Sequence, residues 1–252
     1  MKKIKDLLNF KIRLLIFSIR YKIKRLYTKK GKYYCVCCNT SVRSFLSFGL
    51  VPRENAICPV CNSLERTRLL KYYIINETDI FIGNKKILHF APEPILSLCL
   101  RKLSKQYVSA DIRKDYADRE EDIQRLTFSD DEFDYIICSC VLGHVEDEAK
   151  AVEEMYRVLK VGGKAFIITL LNTEIYETLE DDSIGTPSQR FEHYGEYDLL
   201  RLHGEDFLER LKRPNVFVEK MDYADRFSVE EKQKFSLGDK KREIIYVATK
   251  IS

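Results

Sequence analysis

Phe133-Asp134-Tyr135-Ile136-Ile137-Cys138 is followed by a stretch from Glu146 to Leu159, then by Gly162-Gly163 and the run Lys164 to Leu170. The first six residues are short, rich in strand formers and mostly apolar, the pattern of a buried strand. Val152, Met155, Tyr156 and Leu159 recur at i, i+3, i+4 and i+7, which describes an amphipathic helix. The glycine pair is expected to end that helix, and Lys164–Leu170 reads as the next strand. Strand, crossover helix and strand form the unit from which parallel sheets are built.

The same alternation extends outward. Lys86 to Phe90 reads as a short buried strand, and Pro94 suits the first position of the helix after it, with Glu93 as its cap. Tyr107-Val108-Ser109-Ala110 forms a second strand ending at Asp111, and late strands are expected at Val216–Glu219 and Ile244–Thr249. The whole predicts an α/β fold, a Rossmann-like doubly wound, mostly parallel sheet with helices on both faces. A polar stretch over about 172–205 breaks the alternation and is expected to form a substrate-side insertion.

In such sheets a ligand sits beyond the carboxyl ends of the strands. The first strand delivers Ala91-Pro92-Glu93-Pro94 there, and the second delivers Asp111, placed to hold ribose hydroxyls. A dinucleotide would require G-x-G-x-x-G so that backbone amides approach a pyrophosphate. This loop has no glycine and two prolines, so a dinucleotide is disfavoured. S-adenosylmethionine has no phosphate and is less affected by a loop poor in amide donors.

The run from Glu121-Asp122-Ile123-Gln124 through Phe133–Cys138 to Ser139-Cys140-Val141-Leu142-Gly143-His144-Val145, with Glu154-Met155-Tyr156-Arg157-Val158-Leu159-Lys160-Val161-Gly162-Gly163, resembles the core of class I S-adenosylmethionine-dependent methyltransferases. Together with Leu88–Pro94 and Cys58-Pro59-Val60-Cys61, it is similar to a bacterial subgroup bearing an N-terminal zinc-ribbon-like segment. The resemblance implies that Ala91 and Glu93 line the methionine end of the cofactor and that Asp111 holds the ribose. It also implies that Asp122 and Ile123 border the adenine, and that Ser139 to His144 floor the space between cofactor and acceptor. Two departures stand out. His89 occupies a position where an acid is usual, and Gly143 stands where the family more often has Glu. His144, at a strand end, is the candidate general base for a hydroxyl or amine acceptor. His193, Tyr194, Tyr197, Asp198 and His203 cluster in the insertion as a candidate acceptor wall.

Upstream, Cys35/Cys38 and Cys58/Cys61 form two C-x2-C pairs separated by 19 residues. Each tight turn aims two sulfurs at one ion, and two turns complete a tetrahedron, so the spacing predicts a structural zinc site. Cys37 is an alternative to Cys38, and a disulfide is the weaker reading. Further upstream, residues 1–32 hold twelve Lys/Arg against Asp6 alone, whereas the remainder holds 31 basic and 38 acidic residues. The acidic body disfavours a general nucleic-acid-binding surface.

Ile4, Leu7, Leu8, Ile12, Leu15, Ile16, Ile19 and Ile23 recur at helical spacing among those cations. They describe a basic amphipathic helix whose stripe packs on the main domain, lies on an anionic membrane surface, or belongs to an RNA-binding arm. The longest pure apolar run, Leu14 to Phe17, is too short to span a membrane, and no secretory cleavage pattern follows it. The expected organisation is a basic helix over 1–32, a ribbon over 33–62 and a methyltransferase domain over 63–252. The expected protein is cytoplasmic or peripheral to the inner membrane face, methylating a small-molecule or glycan acceptor. An RNA methyltransferase and a catalytically silent scaffold are the alternatives.

Overall fold

The computed structural model describes residues 9–252. The positions Ile4, Leu7 and Leu8 of the expected stripe lie outside the described residues. Backbone contacts divide the chain into two compact units, one of residues up to Glu121 with Ala224–Gly238, the other of Asp122–Tyr223 with Asp239–Ser252.

The first unit opens with helix α1 (Phe10–Tyr27), capped by the Asn9 side chain, which accepts from the Ile12 amide. Two antiparallel hairpins follow, β1 (Tyr33–Cys35) with β2 (Thr40–Val42), and β3 (Leu46–Phe48) with β4 (Arg53–Ile57). Helix α2 (Glu65–Glu77) leads to strand β5 (Ile87–Phe90), helix α3 (Pro94–Leu103), strand β6 (Tyr107–Asp111) and the short β7 (Arg119–Glu120). β5, β6 and β7 run parallel, with His89 opposite Ser109 and Phe90 opposite Ala110.

The second unit contains β8 (Phe133–Ser139), α4 (Glu148–Val158) and β9 (Leu159–Ile168). The pair β10 (Leu179–Glu180) and β11 (Arg201–Leu202) brackets helix α5 (Pro187–Tyr194). Helix α6 (Phe207–Leu211), β12 (Val216–Met221) and β13 (Ile245–Lys250) complete the unit, while α7 (Val229–Phe235) belongs to the first. β8 and β9 are parallel, and β13 lies antiparallel between β9 and β12. The seven-stranded sheet has the order β12-β13-β9-β8-β5-β6-β7, the mostly parallel Rossmann-like architecture expected from the alternation.

Several local expectations need correction. Gly162-Gly163 does not end a helix; the pair lies inside β9, where the register against β8 shifts between Phe133 and Tyr135. A Cβ on Gly163 would come within 2.9 Å of the Lys160 carbonyl and 3.0 Å of the Asp134 carbonyl, so the glycine permits this irregular strand approach. Asn62-Ser63-Leu64-Glu65 has the spacing of a capping box, yet Asn62 does not cap α2. Its backbone is left-handed (φ 56°), its amide closes the cysteine turn on the Cys58 carbonyl, and Leu64 occupies the cap position. Glu65 accepts from Arg53 at 3.0 Å.

The basic helix also differs from the sequence reading. Phe10 and Leu14 are buried, and Phe17 and Tyr21 pack against the cysteine-ribbon core with Ile95. Ile12, Leu15, Ile16, Ile19 and Ile23 remain 40–59% exposed. The helix therefore docks through an aromatic face and leaves the isoleucine-leucine stripe outside. Among the described residues, no helix is long and apolar enough to cross a membrane.

Arg68 ties the first unit together. It is fully buried, and its guanidinium donates to the carbonyls of Ala56 and Ser63 (2.9 Å each), Phe235 (2.9 Å) and Ser236 (2.7 Å). It also lies 4.2 Å from the Phe45 ring centroid. The ribbon, α2 and the C-terminal end of α7 thus share one donor group. Leaving buried carbonyls unsatisfied costs about 1–3 kcal/mol each before relaxation. Arg68→Ala is expected to lower stability by at least about 3 kcal/mol, read as a fall in the urea midpoint. A change below 1 kcal/mol would show that the clamp is not holding these segments.

Candidate functional site

At the strand ends of the first unit, β5 passes into Ala91-Pro92-Glu93-Pro94 and β6 ends at Asp111. Ala91 occupies the left-handed region at φ 44°, and its amide donates to the Ala110 carbonyl at 2.9 Å. A non-glycine residue there carries a backbone cost of about 1–2 kcal/mol. The chain therefore makes, with alanine, a turn that glycine would make without strain. Glu93 occupies the cap position of α3 without making a side-chain cap bond. Its Oε2 meets His89 Nε2 at 2.9 Å, while His89 Nδ1 meets the Tyr107 hydroxyl at 2.9 Å.

Burial pushes the Glu93 carboxyl upward, but the His89 hydrogen bond and charge outweigh it and hold the group below its ordinary value. Glu93 Oε1 is buried and has no hydrogen-bond partner among the described residues. A buried carboxylate oxygen without a donor is costly and calls for a ligand that donates. Asp111 is 7% exposed, and Arg113 grips both of its oxygens: Nε reaches Oδ1 and a terminal nitrogen reaches Oδ2, each at 3.1 Å. The Arg113 side chain is 61% exposed and lies 4.0 Å from the Tyr116 ring centroid.

In the second unit, Asp122 Oδ1 accepts from the Gln124 amide at 2.9 Å and its side chain at 3.1 Å, and Ile123 is buried. Ser139 ends β8 with a buried hydroxyl that, like Glu93 Oε1, has no partner among the described residues. Cys140 then turns the chain with φ 54°. His144 closes the short 3-10 turn Leu142–His144. Its Nδ1 contacts the Asp198 carbonyl at 3.0 Å, so Nδ1 is the donor, which in a neutral ring leaves the lone pair on Nε2. That tautomer suits a general base.

Where the family more often has Glu, a Cβ on Gly143 would come within 2.7 Å of Leu199. Leu199 fills that space, and the carboxylates of Glu196 and Asp198 gather beside His144 instead.

Residues 90–167 match the family described as the methyltransferase domain. That segment carries a methyltransferase domain. No curated protein matches the sequence. Solved structures similar to this methyltransferase include the YcgJ protein of Bacillus subtilis, 15% identical with a TM-score of 0.49 over 73% of this chain and 98% of that one. Another is an S-adenosylmethionine-dependent methyltransferase of Mesorhizobium loti, 15% identical with a TM-score of 0.45 over 66% of this chain and 91% of that one. A third is the complex of the Haloferax volcanii Trm112 methyltransferase activator with a methyltransferase, 15% identical with a TM-score of 0.48 over 73% of this chain and 89% of that one.

The segment between β9 and α6 holds a residue that the sequence reading missed. Arg201 is 2% exposed; its guanidinium donates to the carbonyls of Leu142 (2.9 Å), Val145 (2.6 Å) and Glu146 (2.9 Å), and pairs with Glu180. It fixes the turn that carries His144. The signal was a lone cation inside the apolar run Leu199-Leu200-Arg201-Leu202, which indicates a buried, fully bonded group.

The expected acceptor wall is not a single wall. His203 is buried, with Nδ1 accepting from Thr169 Oγ1 at 2.7 Å and Nε2 donating to Glu148 at 2.6 Å. Tyr194 is also buried and accepts from the Asp181 amide. His193, Tyr197 and Asp198 are exposed; Asp198 meets His144, Tyr197 stacks on Phe191, and His193 lies on α5.

The four cysteines of the ribbon converge. Cys35, Cys38, Cys58 and Cys61 are buried, and all four sulfurs lie within 4.8 Å of one another. Cys35 and Cys61 are 3.6 Å apart, and Cys38 and Cys58 are 3.9 Å apart. A zinc–sulfur bond of about 2.3 Å gives a tetrahedral edge of about 3.8 Å, so the spacing suits the ion. Cys37 turns away toward the Thr67 carbonyl. Lys71 donates to the Val36 and Cys37 carbonyls, bringing positive charge beside the thiols.

The Glu148–His203 pair sets a pH response. Burial lowers the His203 pKa below its ordinary value despite the opposing pull of Glu148. Burial pushes Glu148 upward, but His203 and Arg210 outweigh it and hold it below the carboxylate range. Both groups therefore bind protons more readily in the unfolded chain. Their stabilisation is complete above about pH 6.5 and is lost as pH falls, first through the histidine range and then below about pH 4.3. The melting temperature is expected to drop between pH 7 and pH 5, and His203→Gln should flatten that limb. Identical pH profiles for the two proteins would contradict this assignment.

Proposed function

We propose that the chain transfers a methyl group to a small-molecule or glycan acceptor, working at an anionic membrane surface. The orphaned Glu93 Oε1 carries the cofactor part of this reading. It is a negatively charged acceptor at the position that the resemblance assigns to the methionine end, where the ammonium of S-adenosylmethionine would supply the missing donor. Ala91 shapes the turn beside it, and Asp111 would take the ribose hydroxyls once Arg113 yields. In the second unit, Asp122 and Ile123 are assigned to the adenine, and Ser139 brings a hydroxyl with no partner of its own.

Bound S-adenosylmethionine supplies an electrophilic methyl group on a sulfonium. The protein's part is to hold the acceptor in line and exclude water. His144, with its free Nε2 and a turn fixed by Arg201, is assigned to take the acceptor's proton. The orphaned acceptors favour a binding-competent domain over a silent scaffold. The exposed isoleucine-leucine stripe of α1, interleaved with cations, favours a membrane surface over RNA. RNA-binding surfaces more often offer aromatic platforms for bases.

Equilibrium dialysis against S-adenosylmethionine tests the cofactor site. The full chain should bind, and Asp111→Ala and Glu93→Gln should each weaken binding about ten-fold or more, the scale of a charge-assisted hydrogen bond. No retention at millimolar cofactor would end the methyltransferase reading, and unchanged affinity in both variants would end the residue assignments.

The Cys35, Cys38, Cys58 and Cys61 cluster is assigned to one structural zinc, with all four positions taken by the protein and none left for catalysis. Purified protein should contain near-stoichiometric zinc by elemental analysis. Cys58→Ser should lose the metal and Cys37→Ser should keep it. Stoichiometric zinc retained by Cys58→Ser would overturn the ligand set.

A further inference from the structure

A cavity of about 410 Å³ lies in the first unit between α1, the cysteine ribbon and the Pro92–Pro94 loop. Phe17, Leu14 and Val60 contribute apolar walls, and Pro92 and Pro94 flank Glu93 on its lining. Arg13, Arg20 and Lys24 also line it, and no acidic residue does. These three cations fall at seven- and four-residue spacing, one row along α1. Arg13 is partly engaged: it donates to the Asp115 carbonyl at 3.4 Å and lies 3.7 Å from the Tyr116 ring centroid. Lys24 donates to the Pro59 carbonyl at 3.1 Å. Arg20 has neither a hydrogen bond nor an ion pair among the described residues and is free to bind an anion.

The row has a definite place on the helix. On one side lies the docked face of Phe10, Leu14, Phe17 and Tyr21. On the other lies the exposed stripe of Ile12, Leu15, Ile19, Ile23 and Leu26, spaced by three and four residues and 43–82% exposed. A helix lying in a bilayer interface buries such a stripe among the acyl chains and keeps its flanking cations at headgroup level. The cavity then opens beside that level, and its far lining is the loop assigned to the methyl donor.

We infer that the cavity is a binding pocket for a membrane-borne anionic amphiphile, a lipid whose phosphate or carboxylate pairs with Arg20 and its neighbours while its first apolar segment lies on Phe17, Leu14 and Val60. Neutral or cationic amphiphiles lack the matching charge. Soluble sugar phosphates lack the apolar segment. The inference rests on the reading of Ala91–Pro94 as the methyl-donor end.

The chain contains no tryptophan, so Phe17→Trp places a single reporter in the cavity. The full-length protein is titrated with decyl phosphate below its micelle concentration, and calorimetry on the unmodified chain checks the reporter. Saturable binding is expected, with decyltrimethylammonium and glucose 1-phosphate at least ten-fold weaker. Arg20→Glu should weaken decyl phosphate at least ten-fold and leave S-adenosylmethionine retention unchanged.

Absence of decyl phosphate binding by both methods overturns the inference. So does equal affinity for the cationic amphiphile, or indifference to Arg20→Glu. Equal affinity for glucose 1-phosphate overturns the lipid source. Decyl phosphate binding without S-adenosylmethionine binding refutes the methyltransferase reading and leaves the pocket's ligand class supported. In a parallel arm, the Ile19→Glu/Ile23→Glu variant should no longer sediment with phosphatidylglycerol-containing vesicles yet still bind decyl phosphate. Undiminished sedimentation of that variant overturns the membrane-facing stripe.

Discussion

The guanidinium of Arg68 is the constraint on which the first unit depends. Four carbonyls from the ribbon, the cysteine turn and the C-terminal end of α7 converge on it, and none of these segments is long enough to bury a large apolar core of its own. A lysine would bring the charge but not the planar fork that reaches several acceptors at once. The same helix presents Lys71, one turn on, to the carbonyls of Val36 and Cys37. Both cations lie close to a cluster whose four thiolates would leave a net negative charge around a divalent ion. α2 therefore acts both as a packing element and as the electrostatic counterweight of the ribbon.

The fold was legible wherever periodicity and burial coincide. Phe133–Ser139 reads as a buried strand because both faces are covered, and the α4 stripe of Val152, Met155 and Tyr156 is buried as its spacing implies. The errors arose where local signals competed. The Gly162-Gly163 pair carries the chemistry of a helix stop, yet here it serves a strand irregularity that only the pairing partner reveals. Asn62 and Glu65 have the spacing of a capping box, but the cysteine turn claims the first and Arg53 the second. Propensity at these positions was overridden by tertiary partners a sequence cannot display.

At the candidate site, the sequence revealed which residues reach the strand ends but not what they do there. The first loop carries no glycine, and Ala91 begins it. In the structure the alanine adopts the glycine-like conformation, with its amide anchored on Ala110. His89, in place of the usual acid, looked like a lost charge. Glu93, four residues on, returns a carboxylate against the imidazole and leaves one oxygen unpartnered. Gly143 follows the same logic, since Leu199 takes the space and Glu196 and Asp198 bring carboxylates to His144 from the insertion. Carboxylates thus lie beside His89 and His144 although neither family position carries one.

Helix α1 shows how one amphipathic pattern can hide two faces. Apolar residues occupy so much of its surface that the sequence reading selected the isoleucine-leucine row, because aliphatic spacing is the stronger periodic signal. The docked row is instead Phe10, Leu14, Phe17 and Tyr21, whose larger rings fill the space against the ribbon core and α3. Had the aliphatic row packed inward, the cations at Arg13, Arg20 and Lys24 would have remained solvated and carried no directional information. With the aromatic row inward, those cations stand between a cavity and an exposed apolar stripe, so docking through rings rather than aliphatic chains gives the helix both an outward face and a cationic edge.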